Sequence, residues 1–282
     1  MTASAALDSD RRDEPVRFTG TGDWQGARTA TQIRVLTARS LRALVLDYRL
    51  LLIGVVESLV MLVAFGQVFS GLAYAPGFPA HVRYIDFLLP ALLLTTALQS
   101  GTQAGMGIVD DVRSGLLARL RSMPVWPGSV LVARSVAGLA RGALRLALLL
   151  VLAYALFGYR PAGGATGVLA AAGLSLAVGW GLSWVFIALA CWVDRTEALH
   201  AVAGLVMFPL MYASNAFVPV SGLPGWLRHV ARFNPVSHGI DSARTLCLTG
   251  SAGPGLLIAV LASLAIAALA ATAAVHGLAR RR

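Results

Sequence analysis

Long, nearly charge-free apolar runs constrain this chain more than any other feature of its sequence. A helix needs about 20 predominantly apolar residues to cross a bilayer. Six such runs occur, at about residues 50–69, 87–109, 135–157, 166–193, 199–217 and 255–276. Only 13% of the 282 residues are charged, against about 25% in soluble domains. The sequence therefore predicts an all-α integral membrane protein with six transmembrane helices.

The arginines predict which side of the membrane each segment faces. All 23 basic residues are arginine, and cytoplasmic loops carry an excess of positive residues. With both termini in the cytoplasm, 16 arginines lie in inner segments and 5 in outer segments. The opposite orientation would reverse this bias. We therefore expect a multi-pass protein of the plasma membrane with cytoplasmic N- and C-termini.

The chain before the first span divides into two segments, and residues 50–282 form one six-span domain. Residues 1–23 are polar and rich in small side chains, which predicts a disordered cytoplasmic tail. Residues 24–49 have the pattern of an amphipathic helix lying in the membrane interface. The alternative is a flexible basic tail that only sets the topology. The apolar side consists of Ile33, Leu36, Leu41, Leu44 and Val45, and the basic side of Arg28, Arg34, Arg39, Arg42 and Arg49.

The segment after the second span, residues 110–124 (the inner loop), combines an acidic pair with an amphipathic pattern. Asp110 and Asp111 are expected to cap a helix N-terminus and complement its dipole. Apolar residues then repeat at four-residue intervals from Val112 to Leu120, and Pro124 ends the helix. One interpretation is a basic loop anchored in lipid headgroups. The other is a helix that docks on a cytoplasmic partner.

The segment between the fifth and sixth spans, residues 218–254 (the outer segment), is too apolar for a solvated loop. We expect re-entrant or interfacial helices that roof the protein, with Trp226 at headgroup level. Asp241 and Arg244 have the spacing of an exposed helical ion pair, which contributes little. The candidate residues here are Pro219, Pro224, Trp226, Asn234, Pro235, Asp241 and Arg244.

Short motifs in three places, taken together, point to a known family. They are Leu88-Leu-Pro-Ala91; then Asp110-Asp111, Gly115, Arg119-Leu-Arg121-Ser122, Met123-Pro124 and Arg134; and finally Asn215–Arg228, Asn234–His238, Asp241 and Arg244. In this order, on six spans, they resemble the ABC type-2 exporter permeases, in particular the daunorubicin- and doxorubicin-resistance branch. The resemblance covers about residues 84–248.

The resemblance implies a half-size permease that pairs with a second copy or with a related permease. Two copies of an ABC ATP-binding subunit would complete the complex and bind ATP and Mg, and this chain would hold no cofactor. Substrates in this branch are typically hydrophobic antibiotics or lipids that are moved outward. The coupling helix would contact the ATPase through Asp110, Asp111, Arg113, Leu116, Leu117, Arg119, Leu120, Arg121, Met123 and Pro124.

The absence of lysine limits where ATP could be hydrolysed. A Walker A loop requires a lysine, and the sequence contains none. The motif therefore cannot form within these residues, and ATP-driven transport would need the nucleotide site on another polypeptide. The spacing of histidines and cysteines indicates no metal site. The positions of the arginines favour a lipid bilayer over nucleic acid as the partner.

Charged side chains inside apolar runs are candidates for function, because they are costly there. Glu57 lies in the first run, and Arg141 and Arg145 lie one helical turn apart in the third. We expect Glu57 to pair with one of the two arginines. The alternative is that both arginines reach the inner surface, while Glu57 is protonated or faces water.

The second half of the second span and the end of the fifth span carry polar, methionine and aromatic side chains. Such residues suit an adaptable lipophilic surface, so we expect the two spans to line the translocation path. Ordinary helix–helix hydrogen bonding and packing is the alternative. The residues concerned are Gln99, Thr102, Gln103, Met106, Met211, Tyr212 and Asn215.

These features favour the permease of an ATP-driven exporter, which is not itself an enzyme. Export of a polysaccharide or lipid-linked glycan by the same architecture is the alternative substrate class. A membrane-embedded transferase would need a nucleophile with a base, or an acidic metal motif, and adjacent aspartates face apart on a helix. A channel or a transporter built on inverted repeats is not supported by any evident internal repeat.

Overall fold

The computed structural model describes residues 29–46, 48–68, 71, 82–116, 126, 128–193 and 195–280. Within these ranges the regular structure is helical, with nine α-helices and no strand, as predicted. The helices are α1 (Thr29–Leu46), α2 (Tyr48–Val68), α3 (Tyr84–Arg113), α4 (Gly128–Phe157), α5 (Gly164–Trp192), α6 (Thr196–Tyr212), α7 (Gly225–Phe233), α8 (Pro235–Thr249) and α9 (Gly255–Arg280).

Five helices are long and apolar enough to cross a membrane, namely α2, α3, α4, α5 and α9. The apolar helix α6 has 17 residues and is about 25 Å long, which is shorter than a hydrocarbon core of about 30 Å. It begins at Thr196 and ends at Tyr212, whereas the predicted span covered 199–217. The chain turns at Ala213, where the helix is capped.

The helix ends around the inner loop differ most from the prediction. Helix α3 continues to Arg113, four residues past its predicted end, and α4 begins at Gly128, seven residues before its predicted start. Asp110 and Asp111 therefore lie in the last turn of α3, and the expected N-terminal capping role is wrong. Carboxylates at this end oppose the helix dipole, which Arg113 in the same turn partly offsets.

Helices α3 and α5 form the centre of the bundle, because glycines let their backbones approach closely. A Cβ atom at Gly105 would lie 2.7 Å from the carbonyl oxygen of Phe186. A Cβ atom at Gly179 would lie 2.6 Å from the Cβ of Ala97, and one at Gly101 would overlap Ser183. Helix α3 is consequently buried along most of its length.

The other helices surround this pair. Helices α2 and α4 pack beside α3, while α8 and α9 pack mainly against α5. Helix α1 lies against the beginning of α4, where the Trp126 amide donates to Gln32 Oε1 at 3.0 Å. In α1, Ile33 and Leu36 are partly buried and Arg34 is exposed, but the amphipathic pattern as a whole stays a prediction. Its position in a membrane interface stays a prediction.

We expect Gly101→Ala to destabilise the protein by about 1–3 kcal/mol, because the new methyl group would overlap Ser183 in the tight contact between α3 and α5. Gly173→Ala is the matched control, since a Cβ atom there meets open space. Thermal unfolding of the purified variants in detergent measures the difference. Equal melting temperatures would contradict the close packing of the two helices.

Candidate functional site

The two aspartates of the inner loop contact different helices. Successive residues of a helix point about 100° apart, so Asp110 and Asp111 face different neighbours. Arg134 of α4 donates from Nε to Asp111 Oδ2 at 2.7 Å, and its Nη2 lies 2.7 Å from Oδ1. The Thr196 hydroxyl at the start of α6 lies 3.5 Å from Asp110 Oδ1 and 3.5 Å from Arg113 Nη1. The end of α3 is thus joined to both α4 and α6.

The structure describes only part of the predicted coupling set. Leu116 is partly buried and lines a small pocket with Leu36 of α1 and Val130 of α4. Gly115 has a φ of 71°, a left-handed conformation that favours glycine and ends α3. Leu117, Arg119, Leu120, Arg121, Met123 and Pro124 lie outside the described residues. Sequence reasoning included Arg134 in a motif but missed its pairing with Asp111.

A strip of polar side chains runs along the second half of α3 and reaches α2 and α4. Gln99 Nε2 donates to Glu57 Oε1 at 3.3 Å, and Arg141 Nη1 donates to Gln103 Oε1 at 3.3 Å. These side chains all lie within helices long enough to span a membrane. The structure therefore brings two predicted path residues into contact with two of the predicted intramembrane charges.

Arg145 is the third intramembrane charge and is the most deeply buried, with 1% of the residue exposed. Its guanidinium lies directly against Gly54 of α2, at a place where any Cβ atom would overlap it. Glu57 follows Gly54 by three residues, about one helical turn. The glycine therefore makes room for a charged group between α2 and α4. The pairing of Glu57 with Arg141 or Arg145 stays a prediction.

The predicted path residues on α3 and α6 lie at different depths along the bundle. Gln99 and Met106 are about 16 Å and 6 Å from Asp110 along the α3 axis. Tyr212 is about 24 Å from Thr196 along α6. At that end the Tyr212 and Phe217 rings stack with centroids 5.4 Å apart. A path role for the remaining members, Thr102, Gln103 and Met211, also stays a prediction.

Arg244 of α8 holds the opposite end of the bundle together. Its Nε donates to the Phe87 carbonyl of α3 at 3.2 Å, and its Nη2 donates to the Asn215 carbonyl at 3.1 Å. Its Nη1 donates to Asp241 Oδ1 at 3.1 Å, and its Cζ lies 3.5 Å from the Phe87 ring centroid. The guanidinium therefore joins three separate parts of the chain.

The prediction of an exposed ion pair is wrong for Arg244, although Asp241 and Arg244 do pair. Only 9% of the Arg244 side chain is exposed, against 52% for Asp241. Burial lowers the pKa of Arg244 to about 10, which leaves it charged at neutral pH. The i, i+3 spacing indicated the pair, but nothing in the sequence indicated the two carbonyl partners.

Two asparagines tie the outer segment to the end of α6. Asn234 Oδ1 accepts the Val236 amide at 3.0 Å and caps α8, while its Nδ2 donates to the Leu210 carbonyl at 3.0 Å. Asn215 lies after α6, is buried, and donates through Nδ2 to Asp241. Asn215 therefore belongs to the contacts around Arg244 as well as to the predicted path.

Helix α7 carries an exposed apolar side. Trp226, Val230 and Phe233 lie at i, i+4 and i+7 and are exposed, while Ala231 on the other side is buried. Its placement at headgroup level stays a prediction. The predicted prolines of the outer segment all lie at the beginnings of helical segments, at positions Pro219, Pro224 and Pro235.

Comparison with known proteins identifies similar sequences. A family model described as ABC-2 type transporter matches residues 31–248, from α1 to α8. A daunorubicin resistance ABC transporter permease protein of Streptomyces coeruleorubidus is 30% identical over 213 residues, which are 74% of this chain and 73% of that protein. A probable doxorubicin resistance ABC transporter permease protein of Mycobacterium tuberculosis is 25% identical over 224 residues, 79% and 78% of the two chains. Nodulation protein J of Rhizobium meliloti is 27% identical over 192 residues, 64% and 68% of the two chains.

We expect Arg244→Lys to destabilise the protein by about 1–3 kcal/mol, because an ammonium group cannot reproduce the planar fork and leaves a buried carbonyl without its donor. Asp241→Asn should cost less, since the carboxylate is half exposed and Arg244 keeps both carbonyls. Thermal unfolding in detergent compares the two. A larger loss for Asp241→Asn would contradict the primary role of the carbonyl contacts.

We expect Glu57→Arg and Arg141→Glu each to impair the protein, because each leaves like charges together in the apolar zone. The double exchange should restore most of the loss if Glu57 faces these arginines. Melting temperature and yield of the purified variants measure this rescue. The same exchange is made between Glu57 and Arg145. If neither double variant recovers stability or yield, the pairing is disproved.

Proposed function

This chain belongs to the ABC-2 type transporter family, and from that premise we propose that it exports a hydrophobic drug, antibiotic or lipid. As a transport permease it is a multi-pass membrane protein and not itself an enzyme. Two of its relatives are named for resistance to daunorubicin and doxorubicin, which supports a lipophilic substrate over a glycan. Export takes place outward across the plasma membrane.

In the proposed layout six helices cross the membrane, with α6 as the fifth. Ser214, Asn215 and Ala216 in the turn after α6 are buried, which supports counting this turn with α6 as one crossing. Both termini lie in the cytoplasm, α1 lies in the inner interface, and α7 and α8 roof the outer side. The excess of arginine at the proposed inner side supports this orientation.

Family membership implies a partnership with an ABC ATP-binding subunit. The proposed complex contains two copies of that subunit and two permeases, either two copies of this chain or this chain with a related one. ATP and Mg are bound by the partner, in keeping with the absence of lysine from this sequence.

The inner loop is the proposed docking site for the ATPase. The observation that carries this proposal is the match of the family model across the whole inner loop. Geometry supports it, because Gly115 turns the chain at the end of α3 and Leu116 extends the pocket against α1. A movement of the loop would therefore act on both α3 and α1.

The proposed function is tested by purifying the chain from the membrane of its own cells together with any ABC ATP-binding subunit that remains bound to it. We expect the two proteins to purify together, and inverted membrane vesicles that contain them to take up the fluorescent probe doxorubicin when ATP is added. Vesicles without the permease are the control. Absence of any co-purifying ATPase would contradict the proposed function, whereas an intact complex that ignores doxorubicin would contradict only the substrate class.

The Leu116→Asp, Leu120→Asp double variant should separate or uncouple the ATPase, because it places charge at two apolar positions of the proposed docking loop. Leu116→Met is the control, since it keeps an apolar side chain of similar volume. The amount of ATPase that purifies with each variant, and vesicle uptake, measure the effect. Wild-type transport by the double variant would refute docking at this loop.

A further inference from the structure

An ion pair closes the inner loop at its base. Asp111 is the third residue from the end of α3, and Arg134 is the seventh residue of α4. The pair thus joins the two helices at the point where the chain leaves one and enters the other. Each carboxylate oxygen faces a different guanidinium nitrogen at 2.7 Å. A bidentate contact of this kind fixes the angle between the groups as well as their distance.

The surroundings of the pair leave room for the guanidinium and bury the carboxylate. A Cβ atom at Gly107 would lie 2.6 Å from Arg134 Nη1 and 3.0 Å from its Cζ, so the guanidinium occupies space that any other residue would fill. The exposed fraction is 8% for the Asp111 side chain and 25% for that of Arg134, and Val130 and Ala133, which line the same small pocket, are buried. Buried pairs are screened by salt much less than exposed ones.

The same helix has a comparable pair at its other end without these properties. Arg83 donates to both oxygens of Asp86 at 2.8 and 2.9 Å. However, 53% of the Arg83 side chain is exposed, and the two residues lie three positions apart in one segment. Arg83 Nη2 also lies 3.5 Å from the carbonyl oxygen of Gly158, the residue after α4, which is a weak contact. This pair is therefore a matched control for the chemistry of the contact.

The Asp111–Arg134 pair determines how α3 and α4 respond to a force on the loop between them. Two independent helix ends would absorb a displacement by moving apart. Two ends joined by a bidentate contact move together. The Gln103–Arg141 hydrogen bond connects the same two helices further along, so a joint movement of α3 and α4 would reach the polar strip and keep this contact.

We propose that Asp111 and Arg134 are positioning residues that make α3 and α4 move as one body when the ATPase displaces the inner loop. ATP binding then changes the exposure of the polar strip on α3. This inference rests on the proposed function, because it requires the inner loop to receive the movement of the ATPase.

The test measures a response to nucleotide that does not depend on the substrate. A cysteine is placed at Thr102, which is partly buried in the strip, while the native Cys191 and Cys247 are buried. Its rate of labelling by a maleimide is compared in the complex with and without ATP and vanadate. In the otherwise unaltered protein we expect the labelling rate to change when ATP and vanadate are added. In Asp111→Asn and Arg134→Gln we expect this change to be at least about fivefold smaller, while ATP hydrolysis continues.

Gly107→Ala provides a test that alters neither charge. The new methyl group would displace the Arg134 guanidinium, so we expect the same loss of response. Asp86→Asn and Gly173→Ala are the matched controls and should respond like the unaltered protein. Exchange of the two charges, Asp111→Arg with Arg134→Asp, should restore part of the response if the contact itself transmits the movement.

The outcomes separate the inference from the function on which it rests. Unchanged nucleotide responses in Asp111→Asn, Arg134→Gln and Gly107→Ala would overturn the inference. It would also be overturned if these variants no longer bound the ATPase. The same holds if their melting temperatures fell in proportion to the loss of the labelling response, since the pair would then have only a structural role. An intact complex whose unaltered permease shows no nucleotide response at residue 102 would also overturn the inference. An unaltered permease that retains no ATPase would overturn the proposed function instead.

Discussion

A membrane interior has no water to satisfy polar groups, so each polar group of a spanning protein needs a partner within the protein. The same need applies to buried groups near the ends of the bundle, and three arginines of this chain illustrate it. Arg134 binds a carboxylate on another helix, Arg141 binds a glutamine, and Arg244 binds two carbonyls and a carboxylate. A guanidinium has five donors in a fixed plane and can join several segments in a defined geometry, whereas a lysine ammonium is a compact charge with three donors on a flexible stem. The exclusive use of arginine therefore suits the fold as well as the topology.

Close packing by small residues complements these contacts. Lipid tails are as apolar as leucine, so helices in a bilayer associate through shape and hydrogen bonds. Gly101, Gly105 and Gly179 bring α3 and α5 together at the centre, while Arg134 and Arg244 attach other helices near the two ends of α3. Helix α3 is thereby the element on which most of the remaining structure is assembled.

Hydropathy and charge asymmetry are properties of local sequence, and for this reason they predicted the helical class and most helix positions. Contacts between distant residues were beyond their reach. Asp110 and Asp111 resembled an N-terminal cap, but α3 continues through them, and Asp111 is paired there with Arg134, 23 positions later. Helix α6 ends at Tyr212, and near this end the side-chain amide of Asn234 donates a hydrogen bond to the Leu210 carbonyl. Arg244 had the spacing of a surface pair, yet the fold buries it.

The geometry of α3 limits how a movement at one end of the protein can reach the other. Asp111 and the Phe87 carbonyl are about 36 Å apart along the helix axis, and each is held by an arginine from another element. Pro90 lies between them and removes one backbone hydrogen bond from the helix. The first turn of α3, which Arg244 holds, is consequently the easiest part to bend relative to the rest. The contacts of the outer segment with Phe87 are therefore separated from the polar strip by the place in α3 where proline interrupts the backbone hydrogen bonds.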